Sequence, residues 1–172
     1  MDIFELYNSR PLLARITFGK NPGRTAVRAV VLGMVCFLVF RYAVRPVIID
    51  GVSMLPTISN HSIHFVNLLA YRKTPPTRGD IVIVEKDGFN TMYLKRVIGL
   101  PDETVRFQNG ALFIDNQIMP EPYLRSKGDW DMRLVTLGES EYFVAGDNRS
   151  VERERHVMGT VDRNFIMGRL LK

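Results

Sequence analysis

The sequence contains few side chains that could form a nucleophilic site. Ser53 lies in the short apolar segment "IIDGVSMLPT", and Lys95 lies in the strand-like segment "TMYLKRVIGL". A serine hydroxyl is a weak nucleophile until a base accepts its proton. An amine in apolar surroundings loses solvation when it is protonated, so its pKa falls and it can act as that base near pH 7. Ser53 and Lys95 could therefore form a reactive pair, although a lysine in a strand more commonly faces solvent.

The histidines and the cysteine give weaker support for a metal site, a catalytic triad or a disulfide. His61 and His64 fall in the polar stretch "SNHSIHF", which predicts an exposed turn. They lack a clear third partner for a metal site, and a serine–histidine–aspartate triad would need one of them beside a serine and a carboxylate. The single cysteine, Cys36, excludes an intramolecular disulfide and a cysteine-based metal cluster. We expect neither a metal nor a cofactor.

The composition is that of a folded protein with an appendage. The chain has 172 residues, of which 46% are hydrophobic and 24% are charged, so one compact domain with a packed core is possible. The formal net charge of +5 fits an anionic membrane surface or a nucleic acid equally well.

The most hydrophobic segment is "AVVLGMVCFLVF", residues 29–40, which lies between Arg28 and Arg41. A helix from about Ala26 to about Val44 would be roughly 28 Å long, close to the thickness of a bilayer's hydrocarbon core. Both arginines would then extend toward opposite interfaces. A buried core helix is the alternative, but the segment has no polar face. We therefore predict a transmembrane anchor over residues 26–45.

The charges before this segment predict its orientation. Residues 1–25 form a basic segment, and the acidic residues before the apolar run are Asp2 and Glu5. The positive-inside rule keeps this segment in the cytoplasm and places residues 46–172 outside the cell membrane. The small residues typical of a signal-peptide cleavage site do not follow the run, which favours a single-pass anchor.

Beyond residue 46 the pattern is typical of strands separated by turns. Alternating segments predict strands over residues 79–88, 91–100, 103–117 and 141–147. Asn109-Gly110 is a strong hairpin signal within the third of these. The segment "KTPPTRG" predicts a surface loop, and residues 124–139 predict an irregular loop. We expect a mainly β fold, in which a single N-terminal transmembrane helix is followed by a partly open, barrel-like antiparallel β-sheet domain.

Four ordered sequence blocks resemble the bacterial type I signal peptidases. They are "GVSMLPT" (51–57), "RGDIVIV" (78–84), "YLKRVIGLPDETV" (93–105), and "GDNR" (146–149) with "GTV" (159–161). Together they span nearly all of residues 46–172. The resemblance implies a membrane-anchored serine endopeptidase that removes signal peptides from exported preproteins after small residues of the Ala-X-Ala type. The implied partners are preproteins, membrane lipid and the secretion machinery, and not nucleic acid.

The resemblance also implies roles for individual residues. Ser53 would be the nucleophile and the backbone donor of the oxyanion hole, and Lys95 would be the general base. Gly51 stands in the oxyanion region, where many members carry a serine. Met54 would line the small-residue pocket or hold the domain against lipid. The implied substrate-binding residues are Ile49, Asp50, Met54, Tyr93 and Leu94.

The chain departs from the family after "GDNR", where members usually carry a serine, an aspartate and an arginine. An ungapped match puts Glu152, Glu154 and His156 at those positions. Glu154 or Asp147 could pair with Arg96, and Ser150 could replace the missing serine. A carboxylate of Glu152 beside Lys95 would instead raise the lysine pKa and oppose base function. A milder departure is Asp102, which stands in a turn where the family often has glycine.

Two alternative functions follow from these features. Glu152 leaves open a weak or inactive paralogue that binds signal-peptide-like segments in the same groove. A self-cleaving repressor uses a similar serine–lysine pair, but residues 1–25 are too short for a helix-turn-helix module.

Overall fold

A computed structural model of the protein describes residues 22–86, 91–151 and 158–171. The chain divides after Tyr42 into an N-terminal unit and a β-rich unit. The N-terminal unit contains helix α1, Pro22–Tyr42, whose segment from Gly23 to Tyr42 is long and apolar enough to cross a membrane. Proline fits the first turn of a helix, where its missing N–H has no acceptor to lose.

The bounds of α1 differ from the prediction by a few residues at each end. The helix begins at Pro22 instead of about Ala26 and ends at Tyr42 instead of about Val44. A strand, β1, begins at Val44 and contains Arg45-Pro46. A residue before proline disfavours helical backbone angles, which explains why the chain is extended there.

The described residues of the second unit form eleven strands and one short 3-10 turn, Arg163–Phe165. The strands are β1 Val44–Ile48, β2 Ile63–Asn67, β3 Ile81–Lys86, β4 Thr91–Gly99, β5 Thr104–Gln108, β6 Ala111–Ile114, β7 Gln117–Ile118, β8 Met132–Thr136, β9 Glu141–Ala145, β10 Gly159–Asp162 and β11 Ile166–Leu170.

All of these strands pair antiparallel in two sheets. The larger sheet has the order β1-β2-β11-β3-β4-β9-β10, and the smaller has the order β7-β6-β5-β8. The mainly β antiparallel fold behind an apolar helix is thus confirmed. Among the described strands, β1 and β10 stand at opposite edges of the larger sheet and do not pair to close a barrel.

The predicted strands correspond to β3, β4, the hairpin β5–β6 and β9. The hairpin turns at Asn109-Gly110, whose φ angles of 48° and 73° suit its two residues. Asp102 also has a positive φ, 65°, so it adopts the conformation for which the family often uses glycine.

Two predicted loops are wrong in part. Residues 124–139 contain β8, which pairs with β5; its exposed residues Arg133 and Leu134 interrupt the alternation expected of a strand. The stretch "SNHSIHF" contains the beginning of β2, because Ile63 and His64 pair with residues of β1. His61 is exposed, whereas His64 is half-buried and contacts the Ser62 hydroxyl at 3.0 Å.

The two sheets are joined by an apolar core. Ile98, Phe143 and Ala145 come from the larger sheet and pack with Val105, Phe107, Leu112 and Ile114 of the smaller one. Trp130 lies edge-on to Phe107, with 5.7 Å between the ring centroids. Gly99 ends β4 inside this core. An added Cβ at Gly99 would stand 2.6 Å from Val105 Cγ2 and 2.9 Å from Phe143 Cβ.

We expect Gly99→Ala to destabilise the β-rich unit by about 1–3 kcal/mol, because the extra methyl group overpacks the core between the sheets. Thermal unfolding of the detergent-solubilised protein measures the effect. Gly33→Ala in α1 is the matched control, since a Cβ there meets nothing within 4 Å. Equal unfolding temperatures for the two variants would contradict the close contact at Gly99.

Candidate active site

Ser53 and Lys95, which lie 42 residues apart in sequence, meet in the folded chain. Lys95 Nζ donates a hydrogen bond of 2.8 Å to Ser53 Oγ. The lysine is only 3% exposed, so it departs from the usual solvent-facing lysine of a strand. Burial lowers the pKa of Lys95 to about 8, and the nearby Asp147 carboxylate acts weakly in the opposite direction. A substantial fraction of this amine is therefore neutral near physiological pH.

The neighbours of Lys95 on the sheet are apolar. Its partner on β3 is Val82, and the partner of Tyr93 is Val84. Val82 and Val84 belong to one buried cluster with Val97, as strand alternation predicts for the face that carries Tyr93 and Lys95. The register of β3 against β4 thus places apolar side chains beside Lys95, and the Tyr93 ring centre lies 5.9 Å from its Nζ.

The loop that carries Ser53 connects β1 to β2 and is fixed by a tight turn. Ile58 N–H donates to the Met54 carbonyl at 2.9 Å, and both side chains are buried beside Leu94. Met54 is 1% exposed. It therefore packs in the core beneath the loop that carries Ser53, and its suggested role in substrate or membrane contact stays a prediction.

Asn148 ties the same loop to the end of β9. Its backbone N–H donates to the Ser53 carbonyl at 2.9 Å, and its side-chain amide donates to the Val52 carbonyl at 3.1 Å. The sequence reasoning did not identify Asn148, although it lies in the block "GDNR". Asn148 therefore holds the backbone carbonyls on both sides of the Ser53 Cα.

A buried ion pair lies next to the two reactive side chains. Arg96 donates to both carboxylate oxygens of Asp147, from Nε at 2.8 Å and from Nη2 at 2.5 Å. Its Nη1 donates to the Gly79 carbonyl at 2.8 Å, and its guanidinium stacks 4.0 Å from the centre of the Tyr123 ring. The hydroxyl of Thr57, in the loop that carries Ser53, donates to Asp147 Oδ2 at 2.5 Å. Of the two acids considered for Arg96, Asp147 makes this contact.

Gly51 does not offer its N–H to a substrate in this conformation. That N–H donates to Asn60 Oδ1 at 2.7 Å. The φ angle of Gly51 is +135°, so a serine here would be strained even though an added Cβ meets nothing within 4 Å. The Ser53 N–H has no hydrogen-bond acceptor among the described residues.

The acidic stretch after "GDNR" lies outside the residues that the structure describes, and with it lie Glu152, Glu154 and His156. Ser150 is described and exposed; its backbone N–H donates to Asn148 Oδ1 at 3.2 Å. Its hydroxyl forms no hydrogen bond with Lys95 among the described residues, so the structure does not bring Ser150 to the position suggested for it.

A groove lies between residues 47–50 and residues 92–94, the segments that precede Ser53 and Lys95 in the chain. Ile49, Asp50, Tyr93 and Leu94, four of the five residues expected to contact substrate, line it. Strand β9 pairs with β4 only from Arg96 to Gly99, so it does not extend along the part of β4 that borders the groove. Within the described ranges, no group of three His, Cys, Asp or Glu side chains converges as metal ligands would.

We expect Asp147→Asn to destabilise the protein by about 3–5 kcal/mol, because it leaves the Arg96 guanidinium buried without its counter-charge. Chemical denaturation measures the loss. Asp50→Asn is the matched control: its carboxylate is 87% exposed and lies 3.9 Å from a His61 ring nitrogen, so it should cause little change. Similar losses in the two variants would mean that the buried pair contributes no more than an exposed one.

Comparison with known proteins identifies the family. The family described as "Signal peptidase, peptidase S26" matches residues 23–171. Signal peptidase I of Bacillus licheniformis is 33% identical over 154 residues, which cover 83% of each chain. Signal peptidase I S of Bacillus subtilis strain 168 is 35% identical over 154 residues, 82% of this chain and 83% of that protein.

A crystal structure of a signal peptidase I from Enterococcus faecalis V583 aligns with a TM-score of 0.48 and 28% identity, covering 57% of this chain and 98% of that one. The sequence matches carry the assignment without it. They extend through the segments that hold Ser53, Lys95 and Asp147. The chain therefore belongs to the signal peptidase family of serine peptidases, peptidase S26.

Proposed function

We propose that this protein is a membrane-anchored endopeptidase that removes N-terminal signal peptides from exported preproteins, with Ser53 as nucleophile and Lys95 as general base. The observation that carries the proposal is the 2.8 Å hydrogen bond between Lys95 Nζ and Ser53 Oγ, made by an amine that is 3% exposed. An amine held in this way needs no histidine to accept the serine proton.

The chemistry follows from the two side chains. Neutral Lys95 accepts the Ser53 proton while Oγ attacks the scissile carbonyl, and the developing oxyanion accepts a hydrogen bond from the Ser53 N–H. The ammonium of Lys95 then protonates the leaving amine as the C–N bond breaks, which leaves an acyl ester on Ser53. Lys95 next accepts a proton from water, and the resulting attack releases the signal peptide with a new carboxylate.

The groove supports binding of the substrate as an extended strand. Residues 47–50 and 92–94 line its walls, and β9 leaves this part of β4 uncovered. A peptide added between these segments would gain backbone hydrogen bonds, with alternate side chains directed into the groove. We infer a preference for small residues at the first and third positions before the cut, as in Ala-X-Ala sites.

The surface of the β-rich unit supports contact with lipid, by residues other than Met54. Pro46 pairs with Phe65 and Ile48 pairs with Ile63, so these four side chains share one face of β1 and β2. All four are exposed, Ile48 by 71% and Ile63 by 66%. An exposed apolar face of this kind fits a membrane surface.

The proposed arrangement places α1 across the cell membrane, with the basic N-terminal segment in the cytoplasm and the peptidase unit outside. Preproteins would reach it from the secretion machinery as their signal peptides enter the membrane. The alternative of an inactive groove-binding paralogue depends on Glu152, which lies outside the described residues. The lowered pKa of Lys95 and its contact with Ser53 favour the enzyme.

We expect Ser53→Ala and Lys95→Ala each to lower kcat/KM for a preprotein with an Ala-X-Ala site by at least about a thousandfold, because either change removes the reactive pair. Cleavage by detergent-solubilised protein, followed by sequencing of the new N-terminus, is the measurement. Lys73→Ala, at an exposed lysine, is the control and should cleave normally. Undiminished cleavage by Lys95→Ala would exclude the lysine as base.

The pH dependence of cleavage should report the lysine pKa. Because the neutral amine is the active form, kcat/KM should rise about tenfold per pH unit below about pH 8 and level off above it. The profile of Lys73→Ala should superimpose on that of the wild type. A flat profile between pH 6 and pH 9 would contradict a base with this pKa.

The stability of the protein provides a second readout of the same group. Lys95 has a lower pKa in the folded protein than its ordinary value of 10.5, so between about pH 8 and pH 10.5 the unfolded chain binds more protons. Folding stability contributed by this group should therefore rise with pH across that window. Lys95→Met, which cannot titrate, should lose this part of the pH dependence, and an unchanged slope would argue against the assignment.

A further inference from the structure

A second groove is lined in part by the residues that follow Ser53 in the chain. Its walls include Leu55 and Pro56, which follow the nucleophile, and residues 147–150. Asn148 belongs to this wall and bonds directly to the Ser53 carbonyl, so the second groove adjoins the reactive serine. A substrate that fills the first groove with the residues before the cut would place the residues after the cut in this second groove.

The remaining wall of the second groove is formed by Arg125 and Ser126, from the segment of residues 121–128. This segment is held at three places. Glu121 accepts hydrogen bonds from the Arg149 guanidinium, at 2.5 Å and 3.2 Å, and Tyr123 stacks on Arg96. Gly128, with φ of +64°, lies so close to the Arg149 carbonyl oxygen that an added Cβ would overlap it.

Arg149 contacts both ends of this segment and is itself held by buried contacts. Its side chain is completely buried, with the guanidinium 5.0 Å from the centre of the Phe107 ring and 4.9 Å from that of Trp130. The core between the two sheets therefore fixes residue 149, and residue 149 fixes both ends of the segment that carries Arg125. The position of Arg125 at the rim of the groove follows from packed, buried groups and not from the loop alone.

Of the three charged residues that line this groove, Arg125 is the one without an ion-pair partner among the described residues. Asp147 is neutralised by Arg96, and Arg149 is neutralised by Glu121, both through short and buried contacts. Arg125 is exposed, and no carboxylate of a described residue forms an ion pair with it. A guanidinium with this freedom offers a planar pair of donors to a carboxylate of a ligand in the groove.

We propose that Arg125 is a specificity-determining residue on the leaving-group side, where it recognises acidic side chains among the first residues of the mature protein. This inference rests on the proposed function, since it assumes that Ser53 cleaves a peptide lying across both grooves. Preproteins with aspartate or glutamate at the second and third mature positions would be processed preferentially over those with lysine or arginine there.

The test uses one signal peptide with an Ala-X-Ala site and varies the second and third residues after the cut. Preproteins with Asp, Ala or Lys at these positions compete in one reaction with the full-length enzyme in detergent. We expect the wild type to favour the Asp substrate over the Lys substrate by about fivefold, the ratio that corresponds to an exposed ion pair of about 1 kcal/mol. Added salt should reduce this ratio because it screens the interaction.

Charge variants separate recognition from other effects. Arg125→Ala should bring the Asp-to-Lys ratio close to one, and Arg125→Glu should invert it. Arg133→Glu changes an exposed arginine of β8 and should retain the wild-type ratio, so it controls for the net charge of the protein.

The outcomes distinguish this inference from the proposed function. Failure of the wild type to cleave any of the substrates would overturn the proposed function and this inference with it. Cleavage with the same Asp-to-Lys ratio in the wild type and in Arg125→Glu would overturn only the role of Arg125.

Discussion

The site depends on keeping the Lys95 amine away from water while giving it a single hydroxyl partner. Burial in a strand lowers the pKa of the amine to about 8, and the cross-strand neighbour Val82 offers no group that would stabilise the ammonium. The hydrogen bond to Ser53 then connects β4 with the loop between β1 and β2, two strands at one edge of the larger sheet. Much of the surrounding structure can be understood as the means of holding that loop against that strand.

The second requirement is that the negative charge of Asp147 does not restore the ordinary pKa of Lys95. A carboxylate near Lys95 favours the ammonium, and Asp147 does raise the lysine pKa to some extent. Burial outweighs this effect, and the Asp147 carboxylate is itself paired with Arg96, whose guanidinium contacts both of its oxygens. Asp147 therefore accepts the Thr57 hydrogen bond, which holds the loop that carries Ser53, while the pKa of Lys95 stays below its ordinary value. Both partners are buried, so removing either one would leave an uncompensated charge and would also release the contacts that hold the site.

Local patterns predicted those parts of the molecule in which neighbours in sequence determine the conformation. The Asn109-Gly110 hairpin, the apolar helix and the alternation that places Tyr93 and Lys95 on one face are of this kind. The sequence alone could not show that Lys95 is buried, because the loop that meets it comes from 42 residues earlier in the chain. Strand β8 escaped prediction because pairing with β5, and not an alternating pattern of its own, makes it extended. Asn148 was missed for a similar reason, since its contacts are with the distant carbonyls of Val52 and Ser53.

The engagement of Gly51 with Asn60 has a consequence for inhibitor chemistry. Compounds that imitate a tetrahedral intermediate gain affinity from every donor that meets their anionic oxygen. Here one backbone N–H is already occupied by a side-chain amide, so such a compound would find the Ser53 N–H and little else from this loop. Affinity would have to come instead from the groove of residues 47–50 and 92–94, or from a group that displaces the Asn60 side chain and releases the second donor.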